Sequence, residues 1–196
     1  MSNFRIDPIH SEILFKAKHL MITNMSGSFG VFDANMQADA DDFSDAVISF
    51  SADISSIKTK NVLKDNHLKS DYFFGSEQNP TMNFQSSSIE KKSGKQYLLN
   101  GAITIKAVIQ PITLQVEYTG KVTDHFDQEK SGFESTGELY RKDFGLNWSA
   151  VTNAGGGGYR HRADRIERGA STRGVGSTVL VGAAHRVHQW PAREET

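Results

Sequence analysis

The side chains able to do chemistry are His10, His19 and His67, the carboxylates Asp7, Asp41, Asp42, Asp65 and Asp143, and Arg141. A metal centre needs three or four convergent ligands. The three histidines fall at spacings that form no recognised metal motif, and His185 with His188 makes only a weak pair. No metal and no cofactor is therefore expected. The chain has no cysteine, which excludes disulfides, thiolate catalysis and zinc–thiolate sites. It also lacks a Gly-x-Ser-x-Gly elbow and a His-Glu-x-x-His helix, and the glycines at 155–158 are not followed by the Lys-Ser/Thr of a phosphate loop. Asp41-Asp42 reads as a solvated turn. No catalytic residue is expected. Asp65 and His67 are the one pair placed to pass a proton, so an enzyme acting on a small apolar substrate is the alternative. His10 beside Asp7 and Ser11 suits structural hydrogen bonding. Arg141 either pairs with Asp143 or meets a phosphate or carboxylate.

These groups have to be positioned by strands. Ile13, Phe15, Ala17 and His19 share one face of a period-two segment, as do Phe32, Ala34, Met36 and Ala38. Ala46, Ile48, Phe50, Ala52 and Ile54 alternate with Ser49, Ser51 and Asp53, which predicts a strand with one dry and one wet face. Further dry faces are Tyr97-Leu99-Gly101-Ile103-Ile105-Ala107, then Ile112-Leu114-Val116-Tyr118, then Phe133-Ser135-Gly137-Leu139. Gln110-Pro111 marks a short connection, because proline cannot donate to a central ladder. Gly27 and Gly30 bracket a bend.

The alternation stops once, between Ile57 and Ser86. Val62, Leu63 and Asn66-His67 sit at helical spacings, with Thr59 and Asn61 as N-caps. Ser70 and Asp71 break the helix, so Tyr72-Phe73-Phe74 arrive as an aromatic wedge. Three adjacent aromatics cannot share one strand face, which predicts a plug across the end or side of a barrel. Asn79-Pro80 ends the irregular stretch, and Met82-x-Phe84-x-Ser86 restarts the period of two.

About seven strand candidates joined by short turns suggest a meander. A meander of about eight strands removes its edges by closing into a barrel, just wide enough for one small ligand. By periodicity alone the dry faces read as an ordinary packed core.

The motifs in order are similar to those of the YceI family of lipocalin-like, lipid-binding barrels. They are Ile6-Asp7-Pro8-x-His10-Ser11, Phe15-x-x-x-His19, Gly27-Ser28-Phe29, Asp65-x-His67-Leu68-x-Ser70-x-x-Phe73-Phe74, Pro80-x-Met82-x-Phe84-x-Ser86, Gly101-x-Ile103-Thr104-Ile105 and Arg141-x-Asp143-Phe144-Gly145-Leu146. Ala107 and Ile109 stand where that family usually carries Gly and Thr. The resemblance implies an all-β, lipocalin-like antiparallel barrel of about eight strands with a short helical insertion. It turns the reading of the dry faces from packed core to a tunnel for a long-chain apolar ligand, such as a polyisoprenoid or isoprenoid quinone, which the protein would bind, store or transport. Phe15, Phe50, Ile54, Phe73, Phe74, Met82, Phe84, Ile103 and Ile105 are the expected lining, with His67 and Arg141 at a polar head group. Ala46, Ala52, Gly101 and Ala107 leave room along the bulky faces. A filled barrel with a purely structural role is a third reading.

At 196 residues the chain suits one domain. Its formal charge of −1 gives no reason to expect nucleic acid as a partner. No run approaches the roughly 20 apolar residues that span a bilayer, so stable membrane insertion is not expected. The first five residues lack the apolar segment of a signal peptide, which predicts a cytoplasmic protein, with a periplasmic one as alternative if a leader has been trimmed. A homodimer is left open. The barrel is expected over residues 1–154. Residues 155–196 change character: lysine and phenylalanine vanish, and seven of the nine arginines lie there. The expectation is a frameshifted, foreign or disordered tail, within which only Val179-Leu180-Val181 could supply the closing strand of the barrel.

Overall fold

The computed structural model describes residues 2–19, 23–125 and 127–146 and the strand 178–190; for 18, 19, 23, 24 and 178–190 it describes the backbone alone. Among these residues eleven strands follow one another: β1 (Ser2–Ile6), β2 (Glu12–His19), β3 (Thr23–Phe29), β4 (Phe32–Ala38), β5 (Val47–Asp53), β6 (Ile57–Thr59), β7 (Thr81–Ser93), β8 (Gln96–Ile105), β9 (Val108–Thr123), β10 (Glu129–Tyr140) and β11 (Thr178–Trp190). The single α-helix among the described residues, α1 (Val62–Lys69), separates β6 from β7. All the pairings are antiparallel.

The pairing order explains why eleven strands make an eight-membered ring. β1, β4, β5, β7, β8, β9, β10 and β11 are neighbours in that order, and β11 returns to β1. β2, β3 and β6 extend this ring. β11 pairs with β2 through Val179–Ala184 and with β1 through Val187–Trp190, so β1 and β2 are two halves of one long strand. Likewise β3 and β4 continue each other, as do β5 and β6, because β3 pairs with β2 and β6 while β4 pairs with β1 and β5. The result is an up-and-down barrel of eight long strands, the first three broken once each.

The breaks keep the apolar residues inside. Along β3 and β4 the inward set passes from odd to even numbers, Phe29 to Phe32, and along β5 and β6 from even to odd, Ile54 to Ile57. A strand with strict period two would turn one half of each set to solvent; one irregular step corrects this. The step between β5 and β6 is a 3₁₀ turn, Ile54–Ser56, in which the Asp53 carboxylate accepts the Ser55 N–H at 2.7 Å and the Ser56 hydroxyl donates to the Asp53 carbonyl at 2.6 Å. The Gly30 N–H then donates to the Ser56 carbonyl, tying two breaks together.

Three sequence expectations are corrected. Ala107 is not a strand residue: with Lys106 it makes the two-residue turn between β8 and β9, both at positive φ (51° and 60°), as a type I′ hairpin requires. The family's usual Gly at this point fits the same geometry. Pro111 is no connection but lies inside β9, opposite Ala102. Counting from the turn, 102–111 is a non-hydrogen-bonded pair, so the missing N–H faces the β10 side, where pairing stops at Gln115. The closing strand is longer than Val179-Leu180-Val181: β11 runs alongside β10 from Tyr140 to Lys130.

α1 closes one end. Asn61 is its N-cap, accepting the Lys64 N–H at 3.2 Å, and Ser70 ends it. Leu68 is buried while Val62 and Leu63 face solvent. Of the aromatic wedge, Phe73 is buried, Phe74 half-buried against it (ring centroids 4.9 Å, 77° apart) and Tyr72 exposed. The plug is thus Leu68, Phe73 and Phe74. Burying each such side chain is worth about 1.5–3 kcal/mol.

Candidate functional site

The barrel interior has two unlike halves. At the α1 end Phe15, Phe29, Ile54, Ile57, Leu68, Phe73, Met82, Ile105, Phe144 and Leu146 are packed together, with Ile57 completely inaccessible, in a buried cluster that continues into Ile13, Phe84 and Ile103. Towards the other end lies a cavity of about 110 Å³. Its described wall is Ile13, Ala34, Asn35, Met36, Ala46, Ile48, Phe50, Phe84, Ile89, Tyr97, Leu99, Ile103, Ile112, Leu114, Val116, Phe133 and Ser135, and its roof is Phe43. Among the described residues no charged side chain lines it.

The boundary between the halves is one cross-strand row. Ala34 stands opposite Phe50, Phe50 opposite Phe84, and Phe84 opposite Ile103, on β4, β5, β7 and β8. The next row towards the roof contains Met36, Ile48, Ser86, Gly101 and Ile112. Ser86 and Gly101 are where side-chain bulk is missing. The Phe84 ring leans onto Gly101, so close that a Cβ there would lie 2.6 Å from the ring and 2.4 Å from the Gln85 carbonyl oxygen. Phe15 on β2 lies on Gly27 of β3 in the same way.

The roof is the turn at residues 39–46 between β4 and β5. Phe43 is buried at φ 57°, a region that a bulky L-residue enters at a cost of about 1–2 kcal/mol. Its ring meets Phe4, Tyr118 and Phe133 at centroid distances of 5.7, 5.4 and 5.1 Å. Polar ties hold the turn in place. The Asp45 carboxylate accepts the Asp39 and Ala40 N–H groups, Lys91 pairs with Asp42 at 2.7 Å, and the Tyr97 hydroxyl donates to the Asp42 carbonyl at 2.7 Å. The Lys91 hydrogen bond, with those from Ser44, holds the Asp42 carboxyl down at about 2.

A second polar cluster ties the β1–β2 break to β10. The Asp7 carboxylate is buried and accepts from His10 Nδ1 and Lys130 Nζ, both at 2.9 Å, while Lys130 also reaches Asp124 at 3.3 Å. Burial alone would raise the Asp7 pKa. The hydrogen bonds from His10 and Lys130, the Lys130 charge and the Ile9 N–H outweigh it and bring the group to about 2. His10 therefore has the structural partner expected of it.

The expected site residues divide between the halves. Phe50, Phe84 and Ile103 border the cavity. Phe15, Ile54, Phe73, Met82 and Ile105 are buried in the packed half, with Phe74 against them. His67 on α1, its ring 6.2 Å from that of Phe73, and Arg141 on the 3₁₀ turn Arg141–Phe144 are half-buried on elements of the α1 end. Asp65 does not face His67. Its carboxylate accepts the Thr59 N–H at 2.7 Å and the Thr59 hydroxyl at 2.6 Å, and residues two apart on a helix point to different sides. Asp65 fastens α1 to β6, which removes the acid–base pair of the enzyme alternative. The strand backbones carrying His19, His185 and His188 are described but their side chains are not; among the described residues no three potential ligands converge on a metal position. No helix among them is long and apolar enough to cross a membrane.

Sequence reasoning missed Met36, Phe43 and Phe133 as cavity residues. Phe43 follows an acidic run and has no strand period, so only its contacts identify it. On the outer sheet face Asp33, Asn35, Ser49, Ser51, Asn83, Gln85 and Thr104 line a broad open groove. This is the wet side of the same alternation, and it has none of the enclosure of the interior.

Comparison with known proteins agrees with this architecture. A family description of the YceI-like domain matches residues 4–164. A UPF0312 protein of Staphylococcus aureus is 36% identical over 157 residues, covering 80% of this chain and 89% of its own. Among solved structures, BcnA of Burkholderia cenocepacia superposes with a TM-score of 0.70 at 17% identity, covering 93% of this chain and 98% of its own. A YceI protein of Campylobacter jejuni gives 0.67 at 25% identity, with coverage of 89% and 90%. A polyisoprenoid-binding domain of Saccharophagus degradans gives 0.61 at 14% identity, with coverage of 95% and 98%. The eight-membered antiparallel ring, the helical plug between its third and fourth strands and the match over most of the chain place this protein in the family of YceI-like domains.

Proposed function

We propose that this protein binds an apolar chain, such as a polyisoprenoid or isoprenoid quinone, in the half of the barrel beneath Phe43, and stores, shields or carries it without chemical change. The observation that carries this reading is an interior cavity whose described wall is mainly apolar and carries no charged side chain. What such a wall offers is removal of hydrocarbon from water, about 0.8 kcal/mol per CH₂. The similarity in fold to the Saccharophagus degradans polyisoprenoid-binding domain supports the same ligand class.

The free volume is small beside the roughly 300–1,000 Å³ of ordinary ligand pockets. Loading therefore requires side chains to leave, and Phe43 is the one placed to do so. It sits on a surface turn, in a costly backbone conformation, held by bonds that water can replace. Phe50, Phe84 and Ile103 contact the buried end of the chain in this reading. The residues of the packed half support them from below, and a polar head group stays at the Phe43 end, not at His67 and Arg141 as expected, because those two lie on elements of the α1 end.

Native mass spectrometry of gently purified protein tests this. The expected result is a co-purifying lipid, or uptake of added farnesol with the ligand recovered unchanged. Neither co-purification nor uptake would overturn the proposal, and a converted product would favour the enzyme alternative.

A further inference from the structure

We infer that the row Ala34–Phe50–Phe84–Ile103 is a floor that sets the length of chain the barrel accepts, with Phe84 as the residue that decides it. This rests on the binding reading above and adds a limit that the reading does not contain. On β7, β5 and β8, and likewise on β2, a cavity residue stands on the roof side of a packed residue: Phe84 above Met82, Phe50 above Ala52, Ile103 above Ile105, Ile13 above Phe15. All four packed residues are less than a tenth exposed, and α1 seals the space beneath them. Among the described residues a chain coming from the roof meets no further space.

The depth follows from the strands. On β8 the cavity wall runs from Tyr97 to Ile103. At a rise of about 3.3 Å per residue and a strand tilt of about 40°, that is ~15 Å along the barrel axis. At about 1.3 Å of advance per carbon–carbon bond, this matches roughly three extended isoprene units. Phe84 is the deciding residue because its ring occupies the gap opened by Ser86 and Gly101, the smallest side chains in the row above. Truncating it joins that gap to the cavity. A longer isoprenoid must leave its remainder outside, where burial contributes nothing.

The test is the affinity series geraniol, farnesol, geranylgeraniol, measured by native mass spectrometry titration of the full chain. Each further buried methylene is worth roughly a fourfold gain. Farnesol should bind at least about tenfold tighter than geraniol, and geranylgeraniol within about threefold of farnesol. Phe84→Leu should restore a gain of about tenfold or more for geranylgeraniol over farnesol, and Ala34→Leu, which thickens the floor, should shift the plateau back to geraniol. Both variants are checked for a cooperative melting transition, and the milder Phe84→Leu is used because Phe84→Ala leaves a larger void. A tenfold gain for geranylgeraniol in the parent protein, or a plateau that neither folded variant moves, overturns the floor. If none of the three alcohols binds the parent, the binding reading itself fails, and the floor with it.

Discussion

The two ends of the barrel are held together by different forces. The α1 end is dry: Ile54, Ile57, Phe73, Phe144 and Leu146 interlock, and its polar contacts serve to cap and fasten the helix. The Phe43 end has a cavity and a set of polar ties at the surface: Asp7 with His10 and Lys130, Asp42 with Lys91, Asp45 with two backbone N–H groups. Apolar packing is lost only when side chains separate. Ion pairs and hydrogen bonds at a surface can exchange for water at modest net cost. A binding barrel built this way is rigid where nothing moves and openable where a ligand must pass.

The difference can be broken most directly by equal truncations at the two ends. Ile57→Ala in the packed half should cost about 3–5 kcal/mol, and Ile48→Ala beside the existing cavity about 1–2 kcal/mol less, because the second void adds to one already present. Denaturant unfolding measures both, and equal losses would mean that the halves are not distinct.

Acid should act on the other end. Asp7 has a pKa of about 2 in the fold against 3.8 for the unperturbed group. Its folded value is depressed, so its contribution is fully present above pH ~4 and is lost as pH falls through 4 towards 2, a change of about 2 kcal/mol. Asp7→Asn should remove that part of the acid dependence, as read from urea midpoints between pH 5 and pH 2 (about this range by the same linkage). An unchanged pH profile would remove Asp7 from the polar ties.

The boundary between the halves is sharpened by Gly101→Ala. The added methyl would collide with the Phe84 ring and the Gln85 carbonyl, and overpacking of this kind costs about 1–3 kcal/mol. A neutral effect would show that the floor row yields easily. The smallest effect is expected at the helix cap: Asn61→Ala removes the acceptor of the Lys64 N–H and should cost about 1 kcal/mol, mostly as earlier melting of α1. Hydrogen exchange at residues 62–69 would show whether the plug loosens on its own.

The strand faces were legible because burial on one side leaves a period of two that needs no knowledge of partners. Phe32-Ala34-Met36-Ala38 and Ala46-Ile48-Phe50-Ala52-Ile54 point inward as their alternation predicts. The helix and its Asn61 cap were legible for the same local reason. The turn at Lys106-Ala107 was not, because neither residue is a usual bearer of positive φ, and the hairpin imposes it. Pro111 suggested a break, since its tolerance inside β9 depends on where β10 stops pairing.

The sequence by itself determined which residues are dry, where the chain stops being strand, and to which family of barrels it belongs, because these depend on local pattern and ordered motifs. Only the tertiary structure decided that three early strands are each broken to keep both halves facing inward, that Asp65 serves Thr59 and not His67, and that the interior is divided by a row of residues distant in the chain. Ala34, Phe50, Phe84 and Ile103 form that row through strand register, and Phe43 becomes a roof through contacts with Phe4, Tyr118 and Phe133. Register and packing between segments are set by the summed fit of the whole barrel, and no short stretch of sequence carries that sum.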